Sequence, residues 1–182
     1  GRLQQDEWSL LSEGIDSLSM LPLHINDKPI SSIQEMQSIC QKIKDESTKK
    51  SLGLVILDYV QLLDYLPISD VSNREEYLLK LAKSLKRMAE ELNVPVIVIS
   101  QLSKDLEKRR NKRPMLSDIR DFEPLEVYSD IITMIYRDEY YNPETEDRGI
   151  TEIIVTKHRN GPVGTVKLLF EPQFTRFRNL AN

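Results

Sequence analysis

Apolar residues along the chain follow two kinds of pattern, which alternate. Met36, Ile39, Cys40 and Ile43 follow Ile33 at steps of three or four, the spacing of one helical face, and Ser32 with Glu35 makes a capping box in front of them. A helix is predicted over about 31–48. A second helix is predicted to start at Asn73 with Glu76, because Leu78, Leu81, Leu85, Met88 and Leu92 form a regular stripe; its opposite, Lys-rich face reads as solvated. Between these helices, "LGLVILDYV" (52–60) is a continuous aliphatic run without alternation, as expected of a strand covered on both faces in a parallel sheet. "VIVISQL" after Pro95 and "SDIITMIYR" up to Arg137 are two more such runs. "GITEIIVTKHRNGPVGTVKLLF" reads as two strands joined by the turn residues Asn160, Gly161 and Pro162. Strands alternating with helices in this order predict an α/β fold, a mostly parallel sheet with flanking helices and a carboxyl-terminal β-hairpin.

Composition narrows this picture. With 182 residues, 40% of them apolar, the chain can bury one core of ordinary domain size. A formal charge of -4 gives no global attraction to a polyanion, so any nucleic-acid contact must rest on a local patch. The single cysteine, Cys40, excludes an internal disulfide and any multi-cysteine metal site, which fits a reducing compartment and a thiol in the core. No run approaches the roughly 18–20 apolar residues of a membrane span, and the first residues lack the regions of a signal peptide. Gly1 stands in place of an initiator methionine, which points to the back part of a longer chain.

Candidate chemistry collects where the apolar runs stop. In sheets of this class the working groups gather at the carboxyl ends of strands, and three runs end on Asp58, on Ser100 with Gln101, and on Arg137. Taken singly, each is what an exposed strand end ordinarily carries. Together they have the form of a nucleotide site: a carboxylate after an aliphatic strand holds the water shell of Mg²⁺ on a phosphate, as in a Walker B motif, and a glutamine after the neighbouring strand can hydrogen-bond a γ-phosphate or an attacking water. A complete site also needs a phosphate-cradling G-x-x-x-x-G-K-[ST] loop, and none of the six glycines has the required lysine and hydroxyl behind it. Either that loop lies upstream on a longer chain, or a separate P-loop-bearing chain supplies it, or the site is dead.

Three long, collinear stretches then carry a resemblance: "LVILDYVQLL", "ELNVPVIVISQLSKDLEKRRNKRPMLSDIRD" and "YRDEYYNPETEDRGITEIIVTKHRNGPVGTVKLLFEPQFTRFRN". They resemble the carboxyl-terminal part of DnaB-type hexameric replicative helicases, most of all the cyanobacterial and plastid branch, over nearly all of the chain. The resemblance implies a RecA-like ATPase core that forms a homo-hexameric ring, encircles single-stranded DNA, moves on it by hydrolysing ATP with Mg²⁺, and works with primase and other replisome proteins. It implies a bacterial cytoplasm or a plastid stroma. By position, Asp58 matches the Walker B acid and Gln101 the γ-phosphate sensor, with Arg137 also on the nucleotide side. The family places its sites between subunits, with a basic finger reaching in from the neighbour. Lys157 and Arg159 of "KHRNGP", alternate residues on one face of a strand end, match that finger, and His158 is expected to point the other way.

DNA contact is expected from the loop "NKRPMLSDIRDFEPLEVYSD", through Arg113, Arg120 and Asp121. There the family pattern is an Arg, an acid, Ser-Gly, an apolar residue and Glu-Gln-Asp-Ala-Asp. Arg120, Asp121, Glu126 and Asp130 keep to it, whereas Phe122, Glu123 and Pro124 replace the Ser-Gly region and Val127 and Tyr128 replace Gln-Asp. A carboxylate and a proline lacking an N–H, placed where backbone donors should meet a phosphate, weaken DNA binding. The preceding run "KDLEKRRNKR" is basic and reads equally as a solvated loop or as a phosphate contact.

Two readings follow. The chain is the carboxyl-terminal portion of a working helicase, or it is a degenerate or separately encoded fragment that keeps the fold as a non-catalytic interaction module. A RecA-like recombination or transport ATPase would not be expected to carry the "RDEYYNPETEDRGI" insert or the "KHRNGP" hairpin.

Overall fold

A computed structural model describes residues 4–28, 32–46, 52–65 and 74–180, without the side chains of residues 6, 64, 65, 74 and 120–122. It divides into two units, 1–52 and 53–182.

The first unit contributes two helices. α1 (Gln5–Ser19) was not expected; its start is a capping box in which Gln4 N donates to Glu7 Oε2 at 2.7 Å, and Trp8, Leu11, Ile15 and Leu18 lie at helical spacing, all exposed. α2 (Ile33–Glu46) forms within the expected bounds, with Ser32 Oγ accepting from Glu35 N at 3.2 Å. Its Ile33, Met36 and Cys40 are buried, and burial pushes the Cys40 thiol up.

The second unit carries the sheets. β1 (Val55–Leu57) and β2 (Val96–Val98) form a parallel pair in register Val55 with Val96 and Leu57 with Val98. The expected strand 52–60 is shorter because the chain turns at Asp58 into a 3-10 helical turn, Val60–Tyr65, whose Val60 and Leu63 face inward at the i, i+3 spacing of that helix. Between the two strands runs α3 (Arg74–Leu92), packed on β2. Its apolar stripe is buried as read, with Met88 fully so, while its expected cap Asn73 lies outside the described residues. The helix ends where "ELNVP" says it should: Asn93 takes φ 51°, Val94 N reaches back to Ala89 O at 3.1 Å and Asn93 N to Glu90 O at 3.1 Å, and Pro95 blocks continuation.

One face of the β1–β2 pair is covered and the other is not. Val55 and Leu57 are buried, whereas Ile56 is 57% and its partner Ile97 48% exposed, so the expectation of two covered faces holds for one of them among the described residues.

Past β2 the chain reaches a short helix, α4 (Glu123–Tyr128), which packs against α3. The third apolar run becomes β3 (Ile131–Tyr136), which joins the hairpin rather than the parallel pair. The insert 137–149, including the short helix α5 (Asp138–Tyr141), folds the chain back on itself and so brings β4 (Ile150–His158) alongside antiparallel. β5 (Gly164–Glu171) completes the predicted hairpin, and β6 (Arg176–Asn179), not expected, adds a fourth strand. Glycine is required at 149, where φ is +71° and the N–H donates to Glu139 Oε2 at 2.8 Å.

Candidate nucleotide and DNA site

Parallel pairing puts the ends of β1 and β2 side by side. Ile99 N donates to Leu57 O and Val60 N to Ile99 O, each at 2.9 Å, so Asp58 is held between two backbone bonds at the carboxyl edge. Its carboxylate is exposed, and among the described residues no side chain pairs with it. Gln101, two residues past Ile99, is likewise exposed. A residue that sequence reading passed over joins the two segments. Gln61 Nε2 donates to Ser100 Oγ at 2.9 Å and to Gln101 O at 3.4 Å, while its Oε1 accepts from Gln101 N at 3.4 Å. The signal was its place three residues after Asp58, on the turn that faces the β2 end.

The chemistry of this edge fits Mg²⁺ held through water, since a carboxylate that is neither buried nor neutralised can order the cation's hydration shell. Asp58 would hold the ion and Gln101 would donate to a phosphate oxygen. The phosphate cradle itself has no counterpart in this sequence.

The hairpin end is a separate cluster. β4 carries a bulge: Ile132 pairs with Lys157 and Thr133 with Val155, leaving Thr156 as the extra residue, its Oγ1 donating to Ile132 O at 3.3 Å. Beyond the bulge, Lys157 and Arg159 both turn toward the junction of β3 with α4. Lys157 Nζ donates to the carbonyls of Glu126 and Val127 near the end of α4. Arg159 Nη1 meets Asp130 Oδ1 at 2.8 Å, and its backbone N donates to Asp130 O at 2.8 Å. Asp130 Oδ2 takes Lys86 Nζ at 2.7 Å, so the Lys-rich face of α3 is not merely solvated. The hydrogen bond from Lys86, followed by the fields of Lys86, Arg159 and Lys157, holds the Asp130 carboxyl below its usual range. His158 lies apart from this cluster, its Nδ1 3.3 Å from Pro162 O and its ring so close under Gly161 that a Cβ there would meet it at 2.4 Å.

Two further cations expected at sites from their sequence position have partners within the protein. Arg137 is clamped to Glu139 and stacks over Phe170, its guanidinium carbon 4.3 Å from the ring centroid, because the insert folds back onto the sheet. Arg113 is ion-paired with Glu152, a buried carboxylate on β4, and lies 5.1 Å from the Tyr136 ring centroid. Burial of Glu152 demands a cation, and Arg113 supplies it, so this arginine has a structural role besides the DNA contact expected of it. Replacing Arg113 with Ala should lower unfolding free energy by about 2–3 kcal/mol in urea titrations, less than for a fully buried pair because the arginine is half-exposed.

The whole basic run 104–113 is folded, opening with a 3-10 turn at Lys104–Lys108. Lys108 pairs with Asp105 at 2.8 Å, Arg109 with buried Asp118 at 2.9 Å, and Lys112 donates to Glu107 O at 2.6 Å with the Tyr141 ring 5.5 Å away. The side chains of Arg120 and Asp121 lie outside the described residues, although their backbone forms a 3-10 turn, Leu116–Phe122. The departure that follows has a local account: Glu123 and Pro124 open α4, a position that suits both an acid and a residue without an N–H.

A cavity of about 360 Å³ beside Arg113 is lined by Tyr136, Asp138, Asp147, Glu152 and Lys167, whose charges pair among themselves. Tyr136 donates to Asp138 Oδ1 at 2.6 Å, and burial, then that bond, push its phenol up to about 12. The folded-state value lies above the ordinary one near 10, so this stabilisation is complete below about pH 10 and is lost as pH rises toward 12. Thermal melts across that window should fall more steeply for the wild-type chain than for Tyr136→Phe.

A strand-end acid beside a strand-end glutamine, on an α/β unit whose hairpin presents a cationic cluster, defines the class of RecA-like ATPase domains. The chain belongs to the DnaB-like helicase C-terminal domain family, whose model matches residues 1–179. It is 42% identical over 180 residues to the replicative DNA helicase DnaB of Geobacillus stearothermophilus, covering 99% of this chain and 39% of that protein. It is 43% identical over 180 residues to a probable replicative DNA helicase of Trieres chinensis, covering 97% and 39%. Among solved structures, one of an isolated ATPase domain superposes with a TM-score of 0.88 at 40% identity, over 98% of this chain and 61% of that one. A DnaB-like replicative helicase described with its primase interactions gives the same TM-score at 39% identity, over 98% and 42%. The chain spans about two fifths of the length of the replicative helicases it matches. No described helix is long and apolar enough to cross a membrane.

Proposed function

We propose that the chain is the carboxyl-terminal portion of the ATPase domain of a replicative DNA helicase, acting in a homo-hexameric ring that moves on single-stranded DNA by hydrolysing ATP, in a bacterial cytoplasm or a plastid stroma. The observation that carries this is that two exposed residues, Asp58 and Gln101, follow the carboxyl ends of two adjacent parallel strands. Asp58 would hold Mg²⁺ through its water shell, which would neutralise charge on the phosphates, and Gln101 would donate to the γ-phosphate or orient water. Arg159 serves the neighbouring subunit's site, since its guanidinium has donors beyond the one held by Asp130 and is 49% exposed. Lys157 keeps the root of the hairpin against α4, and Arg113 and Arg120 are the candidates for the DNA strand. Primase and other replisome proteins are the partners this reading implies.

A second reading, a non-catalytic module, draws on the Glu123–Pro124 start of α4, which adds a carboxylate and removes one backbone donor, at Pro124, beside the family's Ser-Gly position. One experiment separates the two. Mixed with a P-loop-bearing half, the chain should assemble and hydrolyse ATP faster when single-stranded DNA is added. Assembly and nucleotide binding without hydrolysis would establish the second reading instead.

A further inference from the structure

We propose that Asp130 is a positioning residue for Arg159, with Lys86 as the second anchor that fixes Asp130 itself; this rests on the trans-acting role of Arg159 given above. An arginine on a turn has four rotatable side-chain bonds, and a finger useful to a neighbouring subunit must be held before the phosphate arrives. Asp130 grips Arg159 at two points, taking its backbone N–H on the main-chain carbonyl at 2.8 Å and its Nη1 on the carboxylate at 2.8 Å. The other carboxylate oxygen is fixed by Lys86 Nζ at 2.7 Å, from the middle of α3.

Charge supports the assignment. A carboxylate beside a phosphate-seeking guanidinium weakens its pull on an anion, unless other cations offset it. Here Lys86, Lys157 and Arg159 surround Asp130, and Glu90 lies 3.9 Å from Lys86, three positive groups against two negative, so the cluster keeps a net charge of +1 while Asp130 fixes direction. The carboxylate occupies one Nη of a guanidinium with five donors, which leaves the rest of the fork for an incoming anion. Asp130 sits where α4 passes into β3, so the same residue ties the hairpin tip to the segment that follows the DNA-facing turn.

The test uses this chain assembled with a P-loop-bearing half. Asp130→Asn keeps the shape and removes the charge, and should lower kcat for ATP hydrolysis on the order of 10- to 100-fold with KM little changed. In an Arg159→Ala background the same change should have no further effect. Lys86→Met should give a weaker version of the Asp130→Asn loss. Full kcat in Asp130→Asn where Arg159→Ala is impaired, or an equal loss with and without Arg159, overturns the proposal. An independent readout is the Arg159 Nη–H signal in low-temperature NMR spectra of this chain, since Nη1 is the group that Asp130 holds; it should be sharp and slow to exchange in the wild type and broadened in Asp130→Asn. An unchanged signal overturns the positioning role whatever the hydrolysis rate. A changed signal with normal hydrolysis in Arg159→Ala upholds Asp130 as the anchor of Arg159 and removes the trans-finger reading.

Discussion

Arg159→Ala, in an assembly that hydrolyses ATP, should lower kcat by on the order of 10³- to 10⁵-fold while nucleotide affinity stays within a few-fold of the wild type. The size follows from where the charge is needed. A guanidinium held at the γ-phosphate acts on negative charge as it develops and gains most in the transition state, so its loss appears in the rate. Arg159→Lys keeps the charge but not the planar fork, and should recover only part of the rate. Direction can be tested by mixing. Subunits carrying Arg159→Ala retain Asp58, and subunits carrying Asp58→Asn retain Arg159. If the finger works in trans, rings formed from both should contain competent interfaces and regain measurable hydrolysis, although each parent is inactive. Mixed rings as inactive as the parents would place both groups in the same subunit's site.

The largest loss of stability is expected from Met88→Ala. Met88 is fully buried in the apolar stripe of α3, between Leu85 and Leu92, on a helix that packs on β2 and α4. Truncation leaves a cavity that well-packed neighbours cannot close, at a cost of about 2–5 kcal/mol, a large part of the stability of an ordinary domain. Urea unfolding should show a lower midpoint at an unchanged slope, and Met88→Leu should cost less than about 1.5 kcal/mol because it nearly conserves volume. Lys83→Ala, on the exposed side of the same helix, should stay within about 0.5 kcal/mol of the wild type.

Features written in neighbouring residues were legible in the sequence. The stop at Asn93–Pro95, the stripe of α3, the cap at Ser32 and the hairpin turn at 160–162 each depend on residues a few positions apart. α1 was legible too, from Glu7 after Gln4 and the spacing of Trp8, Leu11, Ile15 and Leu18, but a polar opening masked it. What could not be read was the choice of distant partner. Nothing near Arg113 announces Glu152, nothing near Lys86 announces Asp130, and an unalternating run such as 131–136 has the same composition whether its neighbour is parallel or antiparallel. Asp58 and Gln101 stood out because strand ends are a local signal. Gln61, which joins their segments by side-chain bonds, could be found only once the two strands were side by side.

The pinned loop 104–113 has a consequence for ionic strength. Of its six cations, Lys108, Arg109 and Arg113 are paired with carboxylates among the described residues, leaving the charges of Lys104, Arg110 and Lys112. Each phosphate neutralised on a single strand releases counterions and adds about 0.7 to the slope of log affinity against log salt. Six unpaired cations would add about 4 to that slope, whereas three add about 2. Any phosphate contact made through this loop would weaken with salt more gradually than its count of basic residues suggests, because half of its positive charges already face carboxylates within the fold.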